Sequence, residues 1–173
     1  MFVDCDWVFN NDIGLLFAEI ENRRMMENVR SSVYCVQHDY KPKTQVKMDG
    51  MQQHGYNMKL WAALMVFDMS HPENEKLTPE LVNSEGGRNL MNFCWVEDKH
   101  TIGNICSSWH FIPNHSEKLD KVINGIHLTE GGPWFSHMRN GKFDNLWWKY
   151  YNAYLFNKLQ EIQFNCEEII DAD

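Results

Sequence analysis

Two carboxylates, Asp4 and Asp6, follow the apolar start of the chain in Phe2-Val3-Asp4-Cys5-Asp6-Trp7-Val8-Phe9. On a β-strand, residues i and i+2 face the same side. The spacing therefore predicts both carboxylates projecting together where a strand runs out. Two hard oxygen ligands on one side suit Mg²⁺ or Mn²⁺. A cation held in this way commonly carries a phosphorylated ligand as well. A lone Asp-x-Asp is also a frequent solvated turn, so the pair needs a ligand from elsewhere in the chain. His127 is a candidate, because it ends the apolar stretch ahead of the glycine-rich Gly131-Gly132-Pro133-Trp134. Imidazole ligates transition metals, and glycine-rich backbone approaches phosphate closely. Taken singly, a structural histidine and a plain turn are the commoner meanings of these two segments.

The elements that must position these residues follow from local pattern. Residues 1 to 5 predict a buried strand, with a turn over Asp6 to Asn10. Asn11 or Asp12 can cap a helix that carries Ile13, Leu16, Phe17 and Ile20 on one face and ends within the polar stretch Glu21 to Arg30. Ser32 to Gln37 and Trp61 to Phe67 predict further strands. Between them, residues 38 to 58 form a long, polar, aperiodic loop of a kind that is often functional. Thr78-Pro79-Glu80 opens a short helix, with Thr as cap and Pro at its first position. Gly86-Gly87 interrupts it, and Arg88 to Trp95 gives another helical turn. Ile102 to Pro113 is irregular or a short strand pair, and Val122 to Leu128 is the last short strand. Phe143 to Glu168 predicts a long amphipathic helix. Strands alternating with helices indicate an α/β sheet, where ligands bind beyond the carboxyl ends of strands.

Composition bounds the function. The 173 residues, 43% apolar and with seven Trp, suit one globular unit over residues 1–173. A net charge of −8 disfavours a broad nucleic-acid footprint. Part of the acidity lies in Glu167-Glu168 and Asp171 to Asp173, expected as a solvated tail. Cys5, Cys35, Cys94, Cys106 and Cys166 are scattered without a Cys-x-x-Cys pair, as expected of reduced thiols in the cytoplasm. No secretory leader pattern is visible. No apolar run reaches the roughly 18 residues of a transmembrane helix.

In their order along the chain, these segments resemble the metal-dependent GT-A glycosyltransferases. The likeness is nearest to the glycogenin and galactosyltransferase-like group (glycosyltransferase family 8-like) and its bacterial and phage relatives. It rests on Asp4-Cys5-Asp6 after an apolar strand and on His127 followed by Gly131-Gly132-Pro133-Trp134. Lys47-Met48-Asp49-Gly50, Trp61 to Phe67, Trp95-Val96-Glu97-Asp98, Ile102-Gly103 and Trp109 stand between them. The resemblance implies an α/β, GT-A-like nucleotide-diphospho-sugar transferase fold, of which this chain is the C-terminal part. It implies transfer of a sugar from a nucleoside-diphosphate sugar, UDP-sugar favoured, to an acceptor hydroxyl. It makes Asp4, Asp6 and His127 ligands of Mn²⁺ (or Mg²⁺), with Asp4 also touching the donor. Gly131, Gly132 and Trp134 would line the diphosphate. Asp49, Gln52 and Gln53 would face sugar hydroxyls. Glu97 or Asp98 would serve as general base or orient the acceptor, and His110, Trp109 and Trp95 would shape the acceptor pocket.

Two departures from that pattern stand out. The resemblance implies a nucleotide-binding βα region ahead of the Asp-x-Asp strand, whereas this sequence starts at the motif. That would leave an apolar sheet edge, as expected of a fragment, a truncated reading frame or one half of a split protein with a separate N-terminal half as partner. Glu130 also stands where many relatives carry a Lys that reaches the diphosphate. Lys41, Lys43 or Lys47 would have to compensate. Two other readings compete: an inactive glycosyltransferase-like binding or assembly module, and a metal-dependent phosphohydrolase. A phosphohydrolase with a two-metal site would need more clustered ligands than the eight dispersed His offer.

Overall fold

Period-two alternation builds the main sheet. In β3 (Val33–Cys35) and β4 (Leu64–Phe67), successive side chains go to opposite cores. Tyr34, Leu64 and Val66 pack with Leu16, Ile20 and Trp109 on one face. Val33 and Cys35 pack with Phe93, Trp95, Val96 and Ile102 on the other, joined by Met65 and Phe67. The computed structural model describes residues 1–42, 45–46, 50, 52, 54–116 and 122–170, with side chains to residue 161. The four strands lie in the order β1-β4-β3-β5, where β1 is Phe2–Val3 and β5 is Ile102–Asn104. β4 runs antiparallel to β1 and β3, while β5 is parallel to β3. A second, two-stranded sheet pairs β2 (Trp7–Phe9) antiparallel with β6 (Gly125–His127). The architecture is mixed α/β with small sheets.

Helix α1 (Gly14–Glu27) covers the first core. Leu16 and Ile20 are buried as their spacing predicts, whereas Phe17 is exposed. Asp12 Oδ1 accepts the Gly14 N–H at 2.8 Å, and Asn28 ends the helix in the left-handed region at φ +49°. Glu19 ties this helix to the turn at Ser107–Trp109. Its carboxylate accepts the Cys106 N–H at 2.7 Å and the Trp109 Nε1–H at 3.0 Å. Thr78 caps α2 (Pro79–Ser84) by accepting the Leu81 N–H at 3.3 Å, as its sequence predicts. The short helix α3 (Gly87–Met91) follows it.

Several expectations are corrected. Trp7 to Phe9 is a strand rather than part of a turn, because a distant segment, Gly125–His127, completes its hydrogen bonds. Trp61–Ala63 is a 3₁₀ turn, and strand geometry begins only at Leu64. The last strand narrows from Val122–Leu128 to three residues. In the long loop, the described residues include one antiparallel bridge, Val46 with Gln52.

The chain forms two compact units, Met1–Glu130 and Gly131–Asp173. The second contains helix α4 (Asp144–Ile170), so Glu167-Glu168 is helical backbone rather than a free tail. Residues 171–173 lie outside the described residues. No helix among the described residues is long and apolar enough to cross a membrane.

Gly125 is where β6 meets the Ser107–Trp109 turn. A Cβ there would stand 2.3 Å from the Trp109 carbonyl oxygen, a backbone atom that cannot swing away. Gly125→Ala should therefore lower stability by about 1–3 kcal/mol through overpacking. Urea denaturation checks this, and a variant as stable as wild type would contradict the close approach.

Candidate metal centre

Asp4 and Asp6 sit where the chain leaves one sheet for the other. The Asp4 N–H donates to the Ala63 carbonyl at 2.9 Å, which prolongs the β1–β4 ladder. The Asp6 carbonyl accepts the Leu128 N–H at 2.9 Å, which prolongs the β2–β6 ladder. The two carboxylates thus converge because β1 and β2 belong to different sheets. This corrects the expectation that they share one face of a single strand. The β2–β6 register sets Trp7 opposite His127, and the two rings stack with centroids 5.1 Å apart. His127 Nε2 then lies 3.1 Å from Asp6 Oδ1 and 3.7 Å from Asp4 Oδ2. One ligand atom from each of the three residues falls within 4.8 Å of the others. The His127 side chain is 1% exposed, Asp6 22% and Asp4 41%, so the group opens to solvent on its carboxylate side.

Buried imidazoles back this group. His127 Nδ1 lies 2.9 Å from His110 Nε2. His110 is fully buried, and its ring meets His38 edge-on at 4.2 Å and Trp7 at 4.5 Å. For Nε2 of His127 to offer its lone pair to a cation, Nδ1 must carry the proton and donate to His110. That is the supporting contact metal-ligating histidines usually have. The donor set fits a divalent cation: two carboxylates, plus one imidazole with its second nitrogen already engaged. His110 was expected in an acceptor pocket, but it supports His127 instead. His38 carried no sequence signal, because nothing in its spacing ties it to residues 110 and 127.

The other expected site residues have separate duties. Glu97 pairs with Lys76 at 2.8 Å, and its N–H donates to Glu73 at 3.0 Å. Asp98 accepts the His100 N–H at 2.9 Å and caps a 3₁₀ turn. Neither belongs to the three-residue ligand group. Trp95 is a core residue whose Nε1 donates to Asn74 Oδ1 at 3.1 Å. Trp109 is buried against α1. Gln52 is exposed in its bridge with Val46, and Lys41 pairs with Asp39 at the surface. Glu130 bonds His115. Lys43, Lys47, Asp49 and Gln53 lie outside the described residues. Gly131, Gly132 and Trp134 belong to the second unit, where they shape its own turn. Gly131 takes φ +118°, which suits glycine. A Cβ on Gly132 would meet the Trp134 ring at 2.3 Å. That ring packs on Phe135 and Trp147.

Burial, helped by the charge of His127, pushes the His38 pKa down to about 4. Burial, with His38 and His127 nearby, holds His110 well below its ordinary value. Both rings are neutral at pH 7, but in the unfolded chain they titrate near the usual value of about 6.5. Between that value and about 4, the unfolded state takes up protons that the folded state refuses. Stability therefore falls as the pH is lowered through this window. For metal-free protein, His38 alone should remove about 2–3 kcal/mol between pH 7.5 and 4.5. Urea titrations across that range check this. The slope should shrink in His38→Gln, and an unchanged slope would contradict the assignment.

No protein-family model and no solved structure matches the chain. A similar protein is Protein CDI of Arabidopsis thaliana, 37% identical over 177 aligned positions that take in 100% of this chain. The chain spans 61% of that relative's length. The relative is not named as a glycosyltransferase, and neither a family nor a known fold supports the glycogenin-like GT-A group. The resemblance drawn from the sequence is corrected accordingly. Two carboxylates, an imidazole and a glycine-rich turn are the chemistry of cation and phosphate sites in general. Such short motifs describe a site and do not define a lineage.

Proposed function

We propose that this chain holds a divalent cation, Mn²⁺ or Mg²⁺, on Asp4, Asp6 and His127. Through it the chain would bind the diphosphate of a nucleoside-diphosphate sugar, UDP-sugar favoured, for transfer of the sugar to an acceptor hydroxyl. The observation that carries the reading is the convergence of the three ligand atoms within 4.8 Å. An imidazole among the ligands favours Mn²⁺ over Mg²⁺. A cation at this place offsets the negative charge that a diphosphate leaving group develops.

The protein's own residues divide the remaining work. His110 fixes the tautomer and direction of His127. The Trp7 ring covers His127 and His110. Asp4, the most exposed of the three ligands, faces the incoming molecule. Glu97 and Asp98 are engaged elsewhere and have no part in the proposal. Among the described residues the ligand cluster holds three residues, which suits one cation better than the two of many phosphohydrolases. The free thiols of Cys5, Cys35, Cys94 and Cys106 fit a reducing compartment, and the proposal places the protein in the cytoplasm.

Calorimetric titration with Mn²⁺, then with UDP, tests the reading. Asp6→Asn should weaken Mn²⁺ binding at least about 10-fold, and His110→Phe should weaken it about 10-fold through the lost support of His127. UDP should bind wild type with Mn²⁺ and not in EDTA, and turnover of a UDP-sugar should vanish in Asp6→Asn. Equal Mn²⁺ affinity in wild type and Asp6→Asn would sink the proposal, as would UDP binding indifferent to Mn²⁺.

A further inference from the structure

Helix α1 is apolar on two sides. Leu16 and Ile20 point into the first core. On the opposite side, Leu15, Ala18, Asn22, Met25 and Met26 are all exposed. Helical periodicity gathers these five into an arc of about 100°, turned away from Leu16 and Ile20. Leu15 is 52% exposed, Met25 76% and Met26 86%. A helix that only covers a core carries charged and polar residues on its outer side. Here the outer stripe holds no charged side chain, although the chain has 24 acidic and 16 basic residues to place. A contiguous apolar stripe of this kind marks an interaction surface.

The charges of α1 stand beside the stripe rather than on it. Arg23 lies 3.3 Å from both Glu19 and Glu27 along one edge. Along the other edge, Arg24 lies 2.8 Å from Glu21. Each edge thus carries acid and base together. A shallow groove follows the first edge, between Leu15, Ala18, Asn22 and Met26 on one side and Arg23 on the other.

We propose that this stripe is the contact through which two copies of the chain associate, α1 against α1, antiparallel about a two-fold axis. A two-fold contact requires a surface complementary to itself, and α1 has one register that meets the requirement. With the axis level with residue 21, Leu15 of one copy lies beside the second copy's Met26. Ala18 then lies beneath the second copy's Met25, so that a small side chain receives a long and pliable one. The two Asn22 side chains flank the axis, where amides can bond each other. On the charged edge, Glu19 comes level with the second copy's Arg23. Acid therefore meets base at the rim, and no acid is carried into the stripe. This complementarity counts for more in a chain of net charge −8, whose copies otherwise repel. A parallel pairing would instead set Ala18 against Ala18 and Met25 against Met25, leaving a gap beside a crowded layer. A helix of 14 residues offers a small face, so the pair forms at micromolar concentrations or above.

Sedimentation equilibrium of the full chain, over a concentration series that extends above the micromolar range, tests this. Wild type should form a dimer. Ala18→Glu and Leu15→Glu, both at exposed positions, should each weaken it at least about 10-fold by carrying an unpaired charge into the contact. Both variants should keep a urea midpoint near that of wild type. A monomer at every concentration overturns the proposal, and so does a dimer that both variants leave intact. Disulfide cross-linking with a mild thiol oxidant, mapped by mass spectrometry, reads the register. Ala18→Cys mixed with Met25→Cys should give the linked heterodimer in preference to either linked homodimer. Preferential linking of each variant to itself overturns the antiparallel pairing.

Discussion

The antiparallel pairing of Trp7–Phe9 with Gly125–His127 is the constraint on which the rest of the site depends. It joins a segment near the start of the first unit to one near its end. Closing so long a loop has an entropic cost that local contacts cannot repay. The pairing is held on its far side by Phe111, whose N–H donates to the Gly125 carbonyl and whose carbonyl accepts the His127 N–H, each at 2.9 Å. It therefore places three things at once: Asp6 against Leu128, Trp7 over His127, and His110 behind both. Gly125 lets the backbones come this close.

Around that pairing, the protein separates neutral polar groups from charged ones. His110 and His38 lie inside and are kept neutral by burial. The carboxylates of Asp4 and Asp6 lie at the rim, where water reduces the cost of holding two like charges together. Glu19 is the structural counterpart on α1. Its two oxygens serve the Cys106 backbone and the Trp109 indole, fixing the turn from which His110 projects. A carboxylate bonded in this way anchors the frame, whereas Asp4 and Asp6 stand at the rim within 4.8 Å of His127.

Much of the frame was legible in the sequence because its signals are local. β-Branched and aromatic residues marked β3, an apolar run marked β4, the Leu16 and Ile20 spacing marked the buried face of α1, and Thr78-Pro79 marked the start of α2. The residue types gathered at the candidate site, Asp4, Asp6 and His127, were also legible, since residue chemistry does not depend on the fold. Tertiary structure alone decided that Trp7–Phe9 is a strand, that the two carboxylates meet through a change of sheet, and that His110 and His38 stand behind His127. It alone sent Glu97 to Lys76. These are contacts between residues far apart in the chain, and neither a period of two nor one of 3.6 reports which distant segments will meet. The sequence by itself determined what chemistry the side chains could perform, and packing decided which of them stand close enough to perform it together.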